Sequence, residues 1–173
     1  MNRRRAIKAS VILAAPVGLT ACQGELKSFA TWRYAREAVL ELLFKERKLN
    51  STWNLTQMLQ HAAQSVEFSM QGFPELRPAW FRATVGATAF TFFNARGAMS
   101  HTLDEPIPGA PALDASQSLK LSVQRLLDAM DAFTAFKGPF APHFAYGTLT
   151  REQYERAHLM HLANHWQELK DKK

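Results

Sequence analysis

The chain has 173 residues, 47% hydrophobic and 21% charged. These values are typical of one soluble globular domain and exclude a multidomain machine, wholesale disorder and a polytopic membrane protein. A single cysteine excludes an internal disulfide framework and a cysteine-rich zinc site. The formal net charge of +6 at first suggests a nucleic-acid partner or an anionic surface.

Residues 1–21 have the layout of a secretory signal peptide. Four of the 21 basic residues lie within residues 3–8, ahead of an apolar stretch at residues 9–21. That stretch contains Pro16 and Gly18 and is shorter than the roughly 20 residues that a membrane-spanning helix needs. The rest of the chain has 17 basic against 15 acidic residues, because no acidic residue lies in the signal. The charge therefore does not indicate a nucleic-acid partner.

The sequence LTAC at residues 19–22 resembles the bacterial lipobox. We therefore expect Cys22 to carry the lipid that attaches the protein to a membrane of the bacterial cell envelope, on its periplasmic side. Gln23 rather than Asp follows the cysteine, which favours the outer over the inner membrane. The alternative is a buried free cysteine in a first helix. Residues 3–8 (RRRAIK) also resemble the twin-arginine export motif, and the alternative of Sec export stays open.

After a tether at residues 22–30, we predict one helical-bundle domain over residues 31–173. Strong helix formers with apolar residues on one face predict a first helix over residues 31–48. A second helix is predicted over residues 53–70, before the sequence Gly-Phe-Pro ends it.

Residues 79–99 are apolar almost all round, which is typical of a helix enclosed by the others, although Phe90–Phe93 could form a strand. A proline-rich crossover loop, residues 101–114, precedes a fourth helix capped by Asp114 or Ser116. A capping box at residues 150–153 opens the last helix, which is predicted to run to about residue 169. The predicted fold class is all-α, because no stretch is a convincing strand.

Three of the six histidines fall within eight consecutive positions of the last predicted helix. At 100° per residue, His161 and His165 lie about 40° apart around the helix axis, so both imidazoles can bind one ion. Neutral imidazole suits a divalent transition metal such as Zn, Ni or Fe. Two ligands alone bind weakly, and His61, near the inward edge of the second helix, is the candidate third. The alternative is a chance spacing, with His61 at the edge of the core.

Five stretches of the sequence, taken in order, resemble an uncharacterised branch of the DinB/YfiT-like superfamily. The resemblance covers roughly residues 32–170 and implies a four-helix bundle with a long crossover loop, around a metal held by His61, His161 and His165. The branch often has Asp and a further His where this chain has Ala163 and Asn164. The stretches are residues 53–61 (WNLTQMLQH), 65–72 (SVEFSMQG), 106–111 (PIPGAP), 142–147 (PHFAYG) and 161–165 (HLANH).

Several polar side chains are candidates for orienting these imidazoles, because they are expected near them or one helical turn away. The alternative for His143 is an ordinary hydrogen-bonding loop residue, and for His158 it is a partly exposed residue. His101 is interpreted only as a hydrogen-bonding loop residue. The candidates for this supporting role are Gln57, Gln64, Ser65, His143, His158 and Asn164.

Three histidine ligands leave coordination positions open, which is typical of catalytic rather than structural sites. The superfamily includes thiol-dependent transferases and metal-dependent hydrolases, so the resemblance implies one of these activities on a small-molecule substrate. No catalytic acid or base stands out, and enzyme activity stays uncertain. The alternative is a non-catalytic envelope lipoprotein that binds metal or a ligand, and a homodimer is compatible with either function.

Overall fold

The computed structural model describes residues 25–49 and 51–171. The predicted signal peptide, residues 1–21, and the predicted lipid attachment site, Cys22, lie outside the described residues. Residues 25–30, assigned to the tether from the sequence, lie against the bundle, where the Phe29 side chain is buried and its ring contacts Trp166. No helix in the described part of the chain is long and apolar enough to cross a bilayer.

The bundle consists of four helices, α1 (Trp32–Glu41), α2 (Leu55–Gln71), α5 (Leu119–Ala135) and α6 (Arg151–Trp166). Helices α1 and α2 each pack against both α5 and α6, which confirms the predicted all-α helical bundle. Between α2 and α5 the chain forms α3 (Ala79–Phe81) and α4 (Ala87–Arg96), which are joined by a π-helical segment, Arg82–Gly86.

Side-chain caps fix where the bundle helices begin. Asn54 and Thr150 form capping boxes at the starts of α2 and α6, and the second of these was predicted. The prediction for α5 was wrong, because Ser118 caps that helix. Asp114 instead accepts hydrogen bonds from the backbone amide and hydroxyl of Ser116 in the preceding turn.

Two short strands were not predicted. Strand β1 (Arg47–Leu49) pairs antiparallel with β2 (Leu169–Asp171). The first helix therefore stops at Glu41 rather than continuing to residue 48, and α6 stops at Trp166. The Arg47 guanidinium also forms a salt bridge with Asp171. Pairing between the segment that follows α1 and the segment that follows α6 overrides the helix propensity of residues 42–48.

The apolar third helix is not enclosed, so that prediction was wrong. The segment from α3 to α4 lies outside the bundle, with Trp80 66% exposed and Phe92 59% exposed. Gly86, Phe90 and Asn94, spaced four residues apart, are its buried residues.

Helix α2 is buried almost all round and takes the enclosed position instead. Two of its buried amides hold the crossover loop. Gln60 donates to the Asp114 carbonyl and accepts from the Asp114 amide, at 2.8 and 2.9 Å. Gln64 donates to the Pro111 carbonyl. Burial of these polar groups is tolerated because they are hydrogen-bonded. The same hydrogen bonds hold the loop beside the histidines of α2 and α6.

Candidate metal centre

Three imidazole nitrogens meet between α2 and α6. His61 Nε2 and His165 Nε2 lie 3.1 and 3.0 Å from His161 Nε2. With metal–nitrogen bonds of about 2.1 Å, two ligand nitrogens are about 3.0 Å apart at a right angle and about 3.4 Å apart at the tetrahedral angle. The three histidines predicted from the sequence are therefore close enough together to hold one metal ion.

Burial keeps these imidazoles neutral. Desolvation, followed by charge repulsion from neighbouring histidines, lowers the pKa of both His61 and His165 to about 3. The same causes hold the pKa of His161 well below its usual value. Because neutral imidazole is the form that binds metal, all three are in the ligand form at neutral pH.

The outer nitrogens of two of these rings have no polar partner. The Nδ1 atoms of His61 and His165 are buried and form no hydrogen bond within the described part of the chain. A metal-binding histidine usually donates this N–H to a carboxylate or a carbonyl, which raises its basicity. The Trp53 ring, 5.0 Å from the His61 ring between centroids, packs there instead. The donor set fits a transition metal, and packing orients His61.

Four of the polar residues considered for a supporting role have other partners or none. The Gln57 side chain accepts from the Asn54 amide, and Gln64 donates to the crossover loop. Ser65 lines the adjoining cavity. Asn164 Nδ2 lies 3.5 Å from the His101 carbonyl oxygen. Among the residues that the structure describes, none of the four is hydrogen-bonded to His61, His161 or His165.

A cavity of about 200 Å³ opens beside the cluster, and both His61 and His161 line it. The exposed side chains of Arg77 and Glu105 also line it and bring one charge of each sign. Apolar walls and a polar end are typical of a small-molecule site. The apolar lining includes Phe81, Met99, Ile107 and Phe144.

His143 and His158 line the same cavity and are buried. His143 Nδ1 accepts hydrogen bonds from the amides of Ala145 and Tyr146, so the neutral ring carries its proton on Nε2. Burial lowers the pKa of both histidines to about 3. His158 Nε2 is buried without a hydrogen-bond partner among the described residues. The pair adds neutral imidazoles, one of them an N–H donor, to the cavity.

The interpretation of His101 as a hydrogen-bonding loop residue is confirmed, because its Nδ1 lies 2.7 Å from the Thr102 carbonyl oxygen. Its position beside the three histidines was not predicted. The crossover loop carries this residue to the cluster, where its ring centroid lies 4.9 Å from that of His161. Helical spacing gives no signal for a residue in an irregular loop. The sequence offers one weaker signal, which is that His101 follows the helix-ending Gly97 by only four residues and so stays near the end of that helix.

Comparison with curated proteins and with solved structures finds no match. A family model described as a protein of unknown function (DUF1569) matches residues 25–172. The matched region includes all the helices of the bundle and the three clustered histidines. The chain therefore belongs to the DUF1569 family of proteins of unknown function.

Proposed function

We propose that this protein is an exported, lipid-anchored metalloenzyme of DinB-like type, in which His61, His161 and His165 bind one divalent transition metal. The carrying observation is that the Nε2 atoms of His61 and His165 lie 3.1 and 3.0 Å from His161 Nε2, beside a cavity of about 200 Å³. We assign it a transferase or hydrolase activity on a small molecule. When bound, the ion would supply Lewis-acid chemistry at the polar end of the cavity.

The residues around the cavity support a site for a small molecule. The rings of Phe81 and Phe144 and the side chains of Met99 and Ile107 give it apolar walls. The Nε2–H of His143 is available as a donor, because its Nδ1 is already occupied. These residues would bind and orient a small molecule that has both apolar and polar groups.

Metal analysis of the full-length chain, purified without a His-tag or chelator, tests the metal site. We expect about one metal ion per chain, and loss of that metal in the His161→Ala variant. Circular dichroism of the variant checks that the bundle still forms. Equal metal content in the wild type and the variant would overturn the assignment of the ligands.

A second experiment tests for an open coordination position. In the cobalt(II)-substituted protein, 2-mercaptoethanol should produce a thiolate-to-cobalt absorption band if the protein is a thiol transferase. A change in the visible spectrum with azide, but no thiolate band, would favour a hydrolase. If neither compound changes the spectrum, the site is closed and the enzyme proposal is wrong.

Export and lipid attachment rest on the sequence of residues 1–22. Labelling cells with a fatty acid that carries an alkyne tests this part of the proposal. We expect label on the wild-type protein and none on Cys22→Ala, which should also leave the membrane fraction. Equal labelling of both proteins would overturn lipidation at Cys22.

The second candidate function is a non-catalytic envelope lipoprotein that binds metal reversibly. The buried, unpartnered Nδ1 atoms of His61 and His165 favour it, because ligands without a hydrogen-bond acceptor hold metal less tightly. The cobalt experiment separates the two functions, since a carrier needs no position that reacts with thiol or azide.

A further inference from the structure

His101 lies beside the cluster formed by His61, His161 and His165, although its nitrogens are not among those that all lie within 4.8 Å of one another. The ring centroids of His61, His161 and His165 are 4.8 to 5.3 Å apart. The His101 centroid lies 4.9 Å from that of His161 and 5.7 Å from that of His165. The His101 ring is therefore as close to the His161 ring as the clustered rings are to one another, and its separation from the His165 ring is 0.4 Å larger than the largest separation within the cluster.

Imidazoles that share one ion have characteristic ring separations. With a metal–nitrogen bond of about 2.1 Å, a ligand ring centre lies about 3.2 Å from the metal. Two such centres are then about 4.5 Å apart at a right angle and about 5.2 Å apart at the tetrahedral angle. A ring that contacted the ion only through a bound water would lie about 3 Å further out. The separation from His161 fits direct ligation. The separation from His165 is about 0.5 Å beyond the tetrahedral value, which is nearer to direct ligation than to contact through a water, so ligation requires a small shift of His101 towards the ion.

The tautomer of His101 is also the one that a ligand needs. His101 Nδ1 lies 2.7 Å from the Thr102 carbonyl oxygen, which can only accept, so Nδ1 carries the proton. Nε2 is left with a lone pair. An imidazole that donates Nδ1–H to a backbone carbonyl and binds metal through Nε2 is the common arrangement in proteins. Neither His61 nor His165 has such an acceptor within the described chain.

We propose that His101, through Nε2, is a fourth imidazole ligand of the ion held by His61, His161 and His165. This inference rests on the metal site of the proposed function. It makes the crossover loop part of the metal centre. Four imidazoles fill a tetrahedral zinc shell, so an open position for substrate then requires a metal that takes five or six ligands, such as Ni or Fe.

X-ray absorption of the full-length protein loaded with Zn²⁺ or Ni²⁺ tests the proposal directly, because multiple scattering counts bound imidazoles. We expect four in the wild type and three in His101→Phe, which keeps the ring volume.

Competition with a chelating dye gives the second readout. We expect the Zn²⁺ dissociation constant to rise at least about tenfold in His101→Phe. The matched control is Ile107→Val, which changes the same loop and cavity without removing a nitrogen, and which should stay within about twofold.

Three imidazoles in the wild type, or an unchanged dissociation constant in His101→Phe, would overturn this inference and leave the three-histidine site intact. A wild type that binds neither metal would overturn the proposed metal site as well. The count in the wild type does not depend on how well the variant folds.

Discussion

At the scale of single residues, the buried imidazoles determine how this protein responds to acid. Burial lowers the pKa of His143 and His158 to about 3, as it does for His61 and His165 with help from neighbouring histidines. In the unfolded chain each of these groups binds a proton near its usual pKa of 6.5. Between these values the unfolded state binds more protons than the folded state, so the free energy of unfolding falls as the pH falls.

We therefore predict that the metal-free protein loses stability steeply as the pH falls below about 6.5 and unfolds before pH 3 is reached. Each such histidine contributes up to about 1.4 kcal/mol per pH unit to this loss. Urea unfolding at several pH values, with a chelator present, measures it. The control is His158→Phe, which removes one titrating group and should make the pH dependence shallower by that amount. Parallel curves for wild type and variant would show that His158 is not responsible.

Gly86 is required because two backbone segments nearly touch there. A Cβ at this position would lie 1.8 Å from the Ala145 carbonyl oxygen. We predict that Gly86→Ala lowers the free energy of unfolding by about 2 kcal/mol, since the loop of residues 140–147 would have to move away. Chemical denaturation measures the change. The control is Thr88→Ser, at an exposed position in the first turn of α4, which should change stability by less than about 0.5 kcal/mol. Equal effects of both substitutions would contradict the explanation.

At the scale of elements, α2 combines two tasks. It presents His61 to the histidine cluster and Gln60 and Gln64 to the crossover loop. The amide pair of Gln60 matters because it satisfies both backbone groups of Asp114. Gln60 itself is buried, and each hydrogen bond of this kind contributes about 1 kcal/mol to stability.

We predict that Gln60→Leu lowers the free energy of unfolding by about 2 kcal/mol or more and loosens the crossover loop. Hydrogen exchange should show faster exchange of the Asp114 amide, while amides in the middle of α5 stay protected. The matched control is Gln124→Leu on the exposed face of α5, which should have little effect. Unchanged protection of Asp114 in Gln60→Leu would show that the amide pair does not hold the loop.

The helices of the bundle could be predicted from the sequence, because apolar spacing and capping boxes are local signals. The start of α6 at Arg151 was predicted from the Thr150 cap in this way. Strands β1 and β2 could not, since each exists only by pairing with the other across about 120 residues of chain. The exposed position of α4 was also missed, because apolarity does not show which helix the others enclose. Hydrogen bonds to the crossover loop allow the more polar α2 to take that place.

At the scale of the whole molecule, the candidate site joins parts of the chain that are far apart in sequence. His161 and His165 could be predicted from their spacing on one helix, and His61 from its position on an inward face together with a family resemblance. The approach of His101 depends on the path of a proline-rich loop, which no periodicity describes. The unsupported Nδ1 atoms of His61 and His165 could not be predicted either, because hydrogen-bond partners depend on packing.

A metal bound by ligands from α2 and α6 should stabilise the whole bundle. Because the unfolded chain does not hold the three histidines together, a metal at about 1,000 times its dissociation constant should add about 4 kcal/mol to the free energy of unfolding. For a domain of this size we predict a rise in Tm of about 10 °C. Thermal unfolding followed by circular dichroism, with Zn²⁺ or Ni²⁺ and then with excess chelator, measures it. His161→Ala should show no such rise. An equal rise in the variant would mean that the metal binds elsewhere, because the clustered nitrogens of the wild type would then add nothing to stability.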